Sequence, residues 1–274
     1  STLSILVTVV FLASCQKAES PAEPAVENIG QPEVAVRQEP KAAPEDIPSR
    51  YDIYATVRLT ADLDHLSDNQ KQMIRLLIEA SKIMDELFWL QAYGDREPLL
   101  AGIQDPKQRR FAEINYGPWD RLAADQSFVE GAGPKPLGAR FYPEDMSKEE
   151  FEAWGMPGKD GLYSLVKRHP AGHLELQSYS QAFAPRLNEA SGLLRDAAEL
   201  AEDPEFAHYL RMRATALETD DFQASDMAWM DMKNNPIELV IGPIETYEDK
   251  LFGYRAAYES YVLIKDLAWS ERLA

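Results

Sequence analysis

Hydrophobic positions recur at helical spacing through most of the chain, and the period changes near the C-terminus. From about residue 68 to 92, Met73, Ile74, Leu77, Ala80, Met84 and Leu87 fall on one helix face, with Ser67 as N-cap and Gly94 as the stop. A shorter helix is predicted over Asp105–Ile114, with Pro106 at its first position and Gly117-Pro118 after it. Residues 131–143 hold three Gly and three Pro and read as a loop, and Ser147-Lys148-Glu149-Glu150 is a capping box opening a helix through Trp154. Tyr163–Val166 and Leu174–Ser178 can pair as a hairpin around Pro170-Ala171-Gly172. Ser180–Glu202 reads as one helix, and Asp203-Pro204 starts another through about Leu217. Ile237–Ile241 and Ala256–Ile264 are rich in β-branched and aromatic residues, as strands are. The expected class is mainly α with a small β-sheet, α+β, and no internal repeat is visible.

The first fifty residues differ in kind. Leu3–Ala13 is an apolar run of eleven residues, too short to span a bilayer, which takes about 20. It fits the apolar core of a secretory signal. It ends in Leu12-Ala13-Ser14-Cys15, which resembles the lipobox of bacterial lipoproteins. Residues 1–14 are therefore expected to be a signal peptide and Cys15 the lipidated residue. Gln16, rather than Asp, after the cysteine points to the outer membrane, facing the periplasm. Residues 15–50 carry six prolines and no aromatics, the composition of an extended tether that buries too little apolar surface to fold. Folded structure is expected from Tyr51, with Val57-Arg58-Leu59 a short extended segment.

Composition narrows the function classes. The chain has 274 residues, 45% hydrophobic and 27% charged, with a formal charge of 28 − 46 = −18 and a pI near 4.6. So acidic a chain repels phosphate backbones, so nucleic acid is not an expected partner. Cys15 is the sole cysteine, which excludes an intrachain disulfide and a thiolate metal cluster.

The densest chemistry lies in Ile237–Asp266, where a Gly-Pro break and the polar knot Glu245-Thr246-Tyr247-Glu248-Asp249 separate two apolar runs. A carboxylate or phenol held between buried segments is expected to be hydrogen-bonded or used. Here IGPIETYEDKLFGYRAAYES resembles the IG-x-IE-[ST]-Y block of the dipeptidyl peptidase III family of zinc-dependent hydrolases. SDMAWMDM (225–232), GARFYPEDMSKEEFEAW (138–154), INYGPWDRL (114–122) and FWLQAYGD (88–95) resemble further blocks of its plant and bacterial branch, so the likeness runs in order over roughly residues 55–266. Glu248-Asp249 also follows that branch, where animal-type members have Arg in place of Glu248.

The resemblance implies that residues 51–274 are the N-terminal lobe of a two-lobed metallopeptidase-like fold, and that the chain is a fragment, inactive alone, whose C-terminal lobe carries the catalytic zinc. It implies that Tyr247 donates a hydrogen bond to the carbonyl under attack and that Glu245 meets the ammonium of a peptide substrate. For Glu245 a structural ion pair with Arg255 is an equal alternative. Asn115 and Tyr116, in a polar turn, are candidates for lining the cleft. An acid pair of Glu245 with Asp249, as in glycosidases, is disfavoured. Met227, Trp229, Met230 and Met232 read as core.

No metal ligand is assigned within the chain. None of its four histidines (His65, His169, His173, His208) stands in a His-Glu-x-x-His pattern. His169 and His173 are four apart, but Pro170 and Gly172 between them exclude a shared helix face, leaving only a loop-borne pair. A different class of function stays open: a non-catalytic surface lipoprotein that binds peptides or a protein partner.

Overall fold

The computed structural model describes residues 47–233 and 235–266, together with Trp269 and Arg272. Cys15, the signal segment and nearly all of the tether lie outside the described residues. The described part belongs to a unit that begins at Glu45. A 3-10 turn, Ile47–Asp52, leads it, and Arg50 reaches Asp120 at 2.6 Å. Residues 57–59 are exposed and join no strand.

Three long helices make the core. α1 (Asp68–Ala92) starts at a capping box formed by Ser67 and Gln70 and ends at Gly94, whose N–H reaches Trp89 O at 2.8 Å. α2 (Arg96–Gly102) is a short helix capped by Asp95, and α3 (Pro106–Asn115) is capped by Asp105. α4 (Lys148–Ala153) is capped by Ser147, whose Oγ accepts from Glu150 N–H at 3.0 Å, but the reciprocal half of the expected capping box is not made because the Glu150 carboxylate is taken by Arg168. The Ser180–Glu202 stretch is not one helix. It splits into α5 (Tyr179–Ala182) and α6 (Ala184–Leu200), because Pro185 lacks the N–H that would continue the ladder across Phe183. α7 (Pro204–Thr219) and α8 (Gln223–Asp231) follow.

α1, α6 and α7 pack side by side through Leu77, Met84, Leu187, Leu194, Leu210 and Leu217, all fully buried. Ala190, Ala197 and Ala214 let the backbones approach, and Ser191 Oγ donates to Ala214 O at 2.8 Å across the α6–α7 seam. A smaller cluster gathers Ile103, Phe111, Ala112 and Phe128. α8 corrects one expectation. Met227, Trp229 and Met230 are 53%, 38% and 57% exposed, and within that quartet Met232 alone is buried. Among the described residues no helix is long and apolar enough to cross a membrane.

Among the described residues the strands form three separate antiparallel pairs. β1 (Trp119–Asp120) meets β2 (Gln126–Ser127); β3 (Ser164–Arg168) meets β4 (Leu174–Ser178); β5 (Ile237–Glu245) meets β6 (Ala257–Ile264). The third pair lies on α1, burying Ile237, Leu239, Ile241, Ala257 and Tyr258. Gln91 of α1 fixes where β6 begins: its Nε2 donates to Ala256 O at 3.3 Å and its Oε1 accepts from Tyr258 N–H at 2.8 Å. Tyr179 Oη donates to the same Ala256 O at 2.9 Å. The class is α+β, mainly helical, with a sheet pair placed to carry the loop between Glu245 and Ala257.

Candidate functional site

β5 reaches the polar knot by passing a deliberate irregularity. Gly242 has φ +134°, a conformation open chiefly to glycine, and a Cβ there would stand 3.3 Å from the Phe222 ring. Pairing then slips between Pro243 and Glu245, which turns Ile244 outward. The strand therefore runs four residues past Ile241, where its apolar pattern ends, and delivers the chain to a turn closed by Asp249 N–H on Thr246 O at 3.1 Å.

Two buried acids hold that turn. Asp249 accepts from the backbone N–H of Leu251, Phe252, Tyr254 and Arg255 at 2.9–3.2 Å and from Tyr142 Oη at 2.7 Å. Burial, then the Asp249 charge, push the Tyr142 hydroxyl well above its ordinary range, so it stays a donor. Tyr142 itself needs Gly138, where a Cβ would fall 2.5 Å from its ring. Glu248 is gripped by Arg121 Nη1 at 2.6 Å and Lys135 Nζ at 2.5 Å, with Asp125 3.9 Å from the same ammonium. Burial pushes the Glu248 carboxyl up, but the two cations outweigh it and hold it below the usual carboxylate range. For Lys135 burial wins, helped by Arg121, and its ammonium is pushed down although Glu248 opposes the shift.

Immediately before these two anchored acids stands Tyr247, 77% exposed. A large aromatic ring on a surface turn is ordinarily free to swing. Here the backbone on its C-terminal side is pinned at consecutive residues, so the phenol is presented from a fixed base. Glu245, half-buried, ends β5 opposite Ala257 and forms no ion pair among the described residues. The expected alternative, a bridge to Arg255, is not formed. Arg255 is fully buried, donates to the carbonyls of Gly161 and Lys159, and lies over the Tyr142 ring. Asp249 is no partner for acid–base work with Glu245 either, since its oxygens are taken by five donors.

The Asn115-Tyr116 turn is tied to the same network. Asn115 is buried, its Nδ2 donating to Phe111 O and its Oδ1 accepting from Arg121 N–H, both at 2.9 Å. Arg121 Nε donates to Asn115 O at 2.7 Å while its Nη1 holds Glu248. Tyr116 adopts the left-handed conformation at the end of α3 (φ 52°), and its Oη donates to Asp85 at 2.5 Å. Burial and Asp85 push that hydroxyl up. The structure thus links Asn115 to the base of Tyr247 through one arginine. It keeps Asn115 inside, and sets Tyr116 half-buried against Phe88 and Trp89. Arg121 and Lys135 escape a reading of the sequence because no local pattern ties them to position 248.

Solved structures share this arrangement of elements. One from Caldithrix abyssi, described as dipeptidyl peptidase III, superposes with a TM-score of 0.79 at 36% identity, over 82% of this chain and 45% of that one. The described residues form a dipeptidyl peptidase III-like lobe. A dipeptidyl-peptidase III from Corallococcus sp. strain EGB gives a TM-score of 0.76 at 34% identity, over 81% of this chain and 43% of that one. An Arabidopsis thaliana protein named Nudix hydrolase 3 is 28% identical over 275 residues, 78% of this chain and 36% of that protein. The chain spans less than half the length of each of these proteins. No family model matches it. The lobe has a peptidase-like hydrolase fold. Among the described residues no helix carries two histidines one turn apart, so the zinc implied by the resemblance finds no His-Glu-x-x-His ligand set here.

Proposed function

We propose that this lobe forms one wall of the cleft of a zinc-dependent, peptidase-like hydrolase, the zinc being held by a second lobe of the same polypeptide. Bound there, the metal would supply Lewis acidity toward a water and a peptide carbonyl. This chain supplies the opposite side of the reaction. The Tyr247 phenol donates a hydrogen bond to the carbonyl oxygen as negative charge grows on it. The Glu245 carboxylate, which forms no ion pair among the described residues, meets the peptide's terminal ammonium. Asn115 acts through Arg121 as a positioning residue, and Tyr116 lines the approach.

The observation that carries this reading is an exposed phenol on a turn that its own lobe immobilises. A donor already in place when charge develops has no reorganisation left to undergo, which is why such donors are worth about 10²–10³ in kcat. The test is Tyr247→Phe in a polypeptide carrying both lobes. We expect kcat to fall by about that factor with KM little changed, the pattern of an interaction made only in the transition state. Undiminished kcat would remove Tyr247 from the chemistry. On the same reading Cys15 carries the lipid anchor that holds the protein in the cell envelope. Cys15→Ser should then move the protein from the membrane fraction to the soluble one.

A further inference from the structure

The β3–β4 hairpin carries chemistry that the cleft does not use. Its register sets Lys167 opposite Glu175 and Arg168 opposite Leu174, so the next pair is His169 and His173, joined by His169 N–H on His173 O at 2.9 Å. Pro170-Ala171-Gly172 closes the loop, with Gly172 at φ +93° donating to His169 O at 2.8 Å. Residues two apart on a strand share a face, so Glu175 lies on the side of His173, with Leu174 buried between them. The imidazole rings stack, centroids 4.3 Å apart and planes 19° from parallel. One ligating atom from each of His169, His173 and Glu175 lies within 4.8 Å of the other two.

We propose that this hairpin binds one divalent ion of the zinc, nickel and copper class through His169, His173 and Glu175. Two imidazoles and a carboxylate are the donor set such borderline ions take, with water completing the shell. Stacked imidazoles do not aim their nitrogens at one point, so the rings must rotate to converge on an ion. They are free to do so, since His173 and Glu175 are exposed and His169 is half-exposed. His169 Nδ1 now accepts from Ala171 N–H at 3.0 Å. Coordination through Nε2 places the ring proton on Nδ1, so that bond opens when the ion arrives. Lys167, on the same face opposite Glu175, is the cation that opposes the ion. Arg168, its neighbour, is held by Glu150 and Asp145.

The test is calorimetric titration of the chelator-treated 274-residue chain with zinc chloride and nickel chloride. One site per chain is expected, weakened about tenfold or more by His169→Ala or His173→Ala and less by Glu175→Gln. Lys167→Ala should tighten it. In nitrogen–proton spectra the Ala171 amide should shift on adding zinc. These residues are at the surface, so the variants should melt with the parent chain, and melting curves confirm that folded proteins are compared. Equal affinity in both histidine variants, an unmoved Ala171 amide, or no binding at millimolar metal overturns the proposal.

Discussion

The helical layer of α1, α6 and α7 and the turn that carries Tyr247 are both rigid, but by different physics. In the layer, leucines and alanines interdigitate, and the stabilising term is apolar area removed from water, non-directional and spread over many contacts. At the turn the interior is ionic. Glu248, Asp249, Lys135 and Arg255 are buried there, and each needs specific partners because an uncompensated charge is costly to desolvate. The layer tolerates exchange of one apolar residue for another of similar volume. The turn tolerates little, and in return it fixes a ring that is 77% exposed.

That contrast can be broken in graded ways. Glu248→Ala should show the largest loss. It leaves Lys135 with only Asp125, 3.9 Å away, and breaking a buried pair costs about 3–5 kcal/mol, read from denaturant melts. A loss below about 1 kcal/mol would mean that the turn is held by something other than charge. Leu194→Ala, in the layer, should cost about 2–5 kcal/mol through lost transfer energy and a residual cavity.

Acidification separates the two regions further. The Glu248 carboxyl titrates lower when folded than unfolded, so its contribution is fully present above the ordinary carboxylate pKa. It is lost as pH falls through the lower folded value. Glu248→Gln should flatten that dependence across the acid limb of the stability curve, whereas Leu194→Ala should lower the whole curve without changing its slope there. The smallest expected effect is on stability in Tyr247→Phe, within about 0.5 kcal/mol, since the phenol is exposed. A large loss would mean that the hydroxyl serves the fold rather than a reacting group.

Helices α1, α3, α4 and α7 and both strands of the last sheet pair can be read along the chain, because capping and hydrophobic period are local. Where the reading missed, a competing local effect or a distant partner decided. Pro185 broke a helix that the apolar spacing alone continues. α2 is seven residues long with none buried, and so has no apolar stripe to announce it. Met227, Trp229 and Met230 share the composition of a core segment, yet α8 turns them outward. At the candidate site the tyrosine stood out by its motif, while Arg121, 127 residues from Glu248, did not. Pro170 and Gly172 exclude a shared helix face for His169 and His173 and leave a loop-borne pair. A hairpin register set them face to face.

By itself the sequence determined the caps and approximate extents of α1, α3, α4 and α7, the α+β class and the block around Tyr247, since each depends on neighbours a few residues away. Only the tertiary structure decided that Tyr247 is presented and Asn115 is enclosed, and that Glu248 rather than Glu245 carries the buried ion pairs. Those outcomes depend on which charges and rings meet across a hundred residues, and desolvation makes the energy of a charge a property of the completed interior.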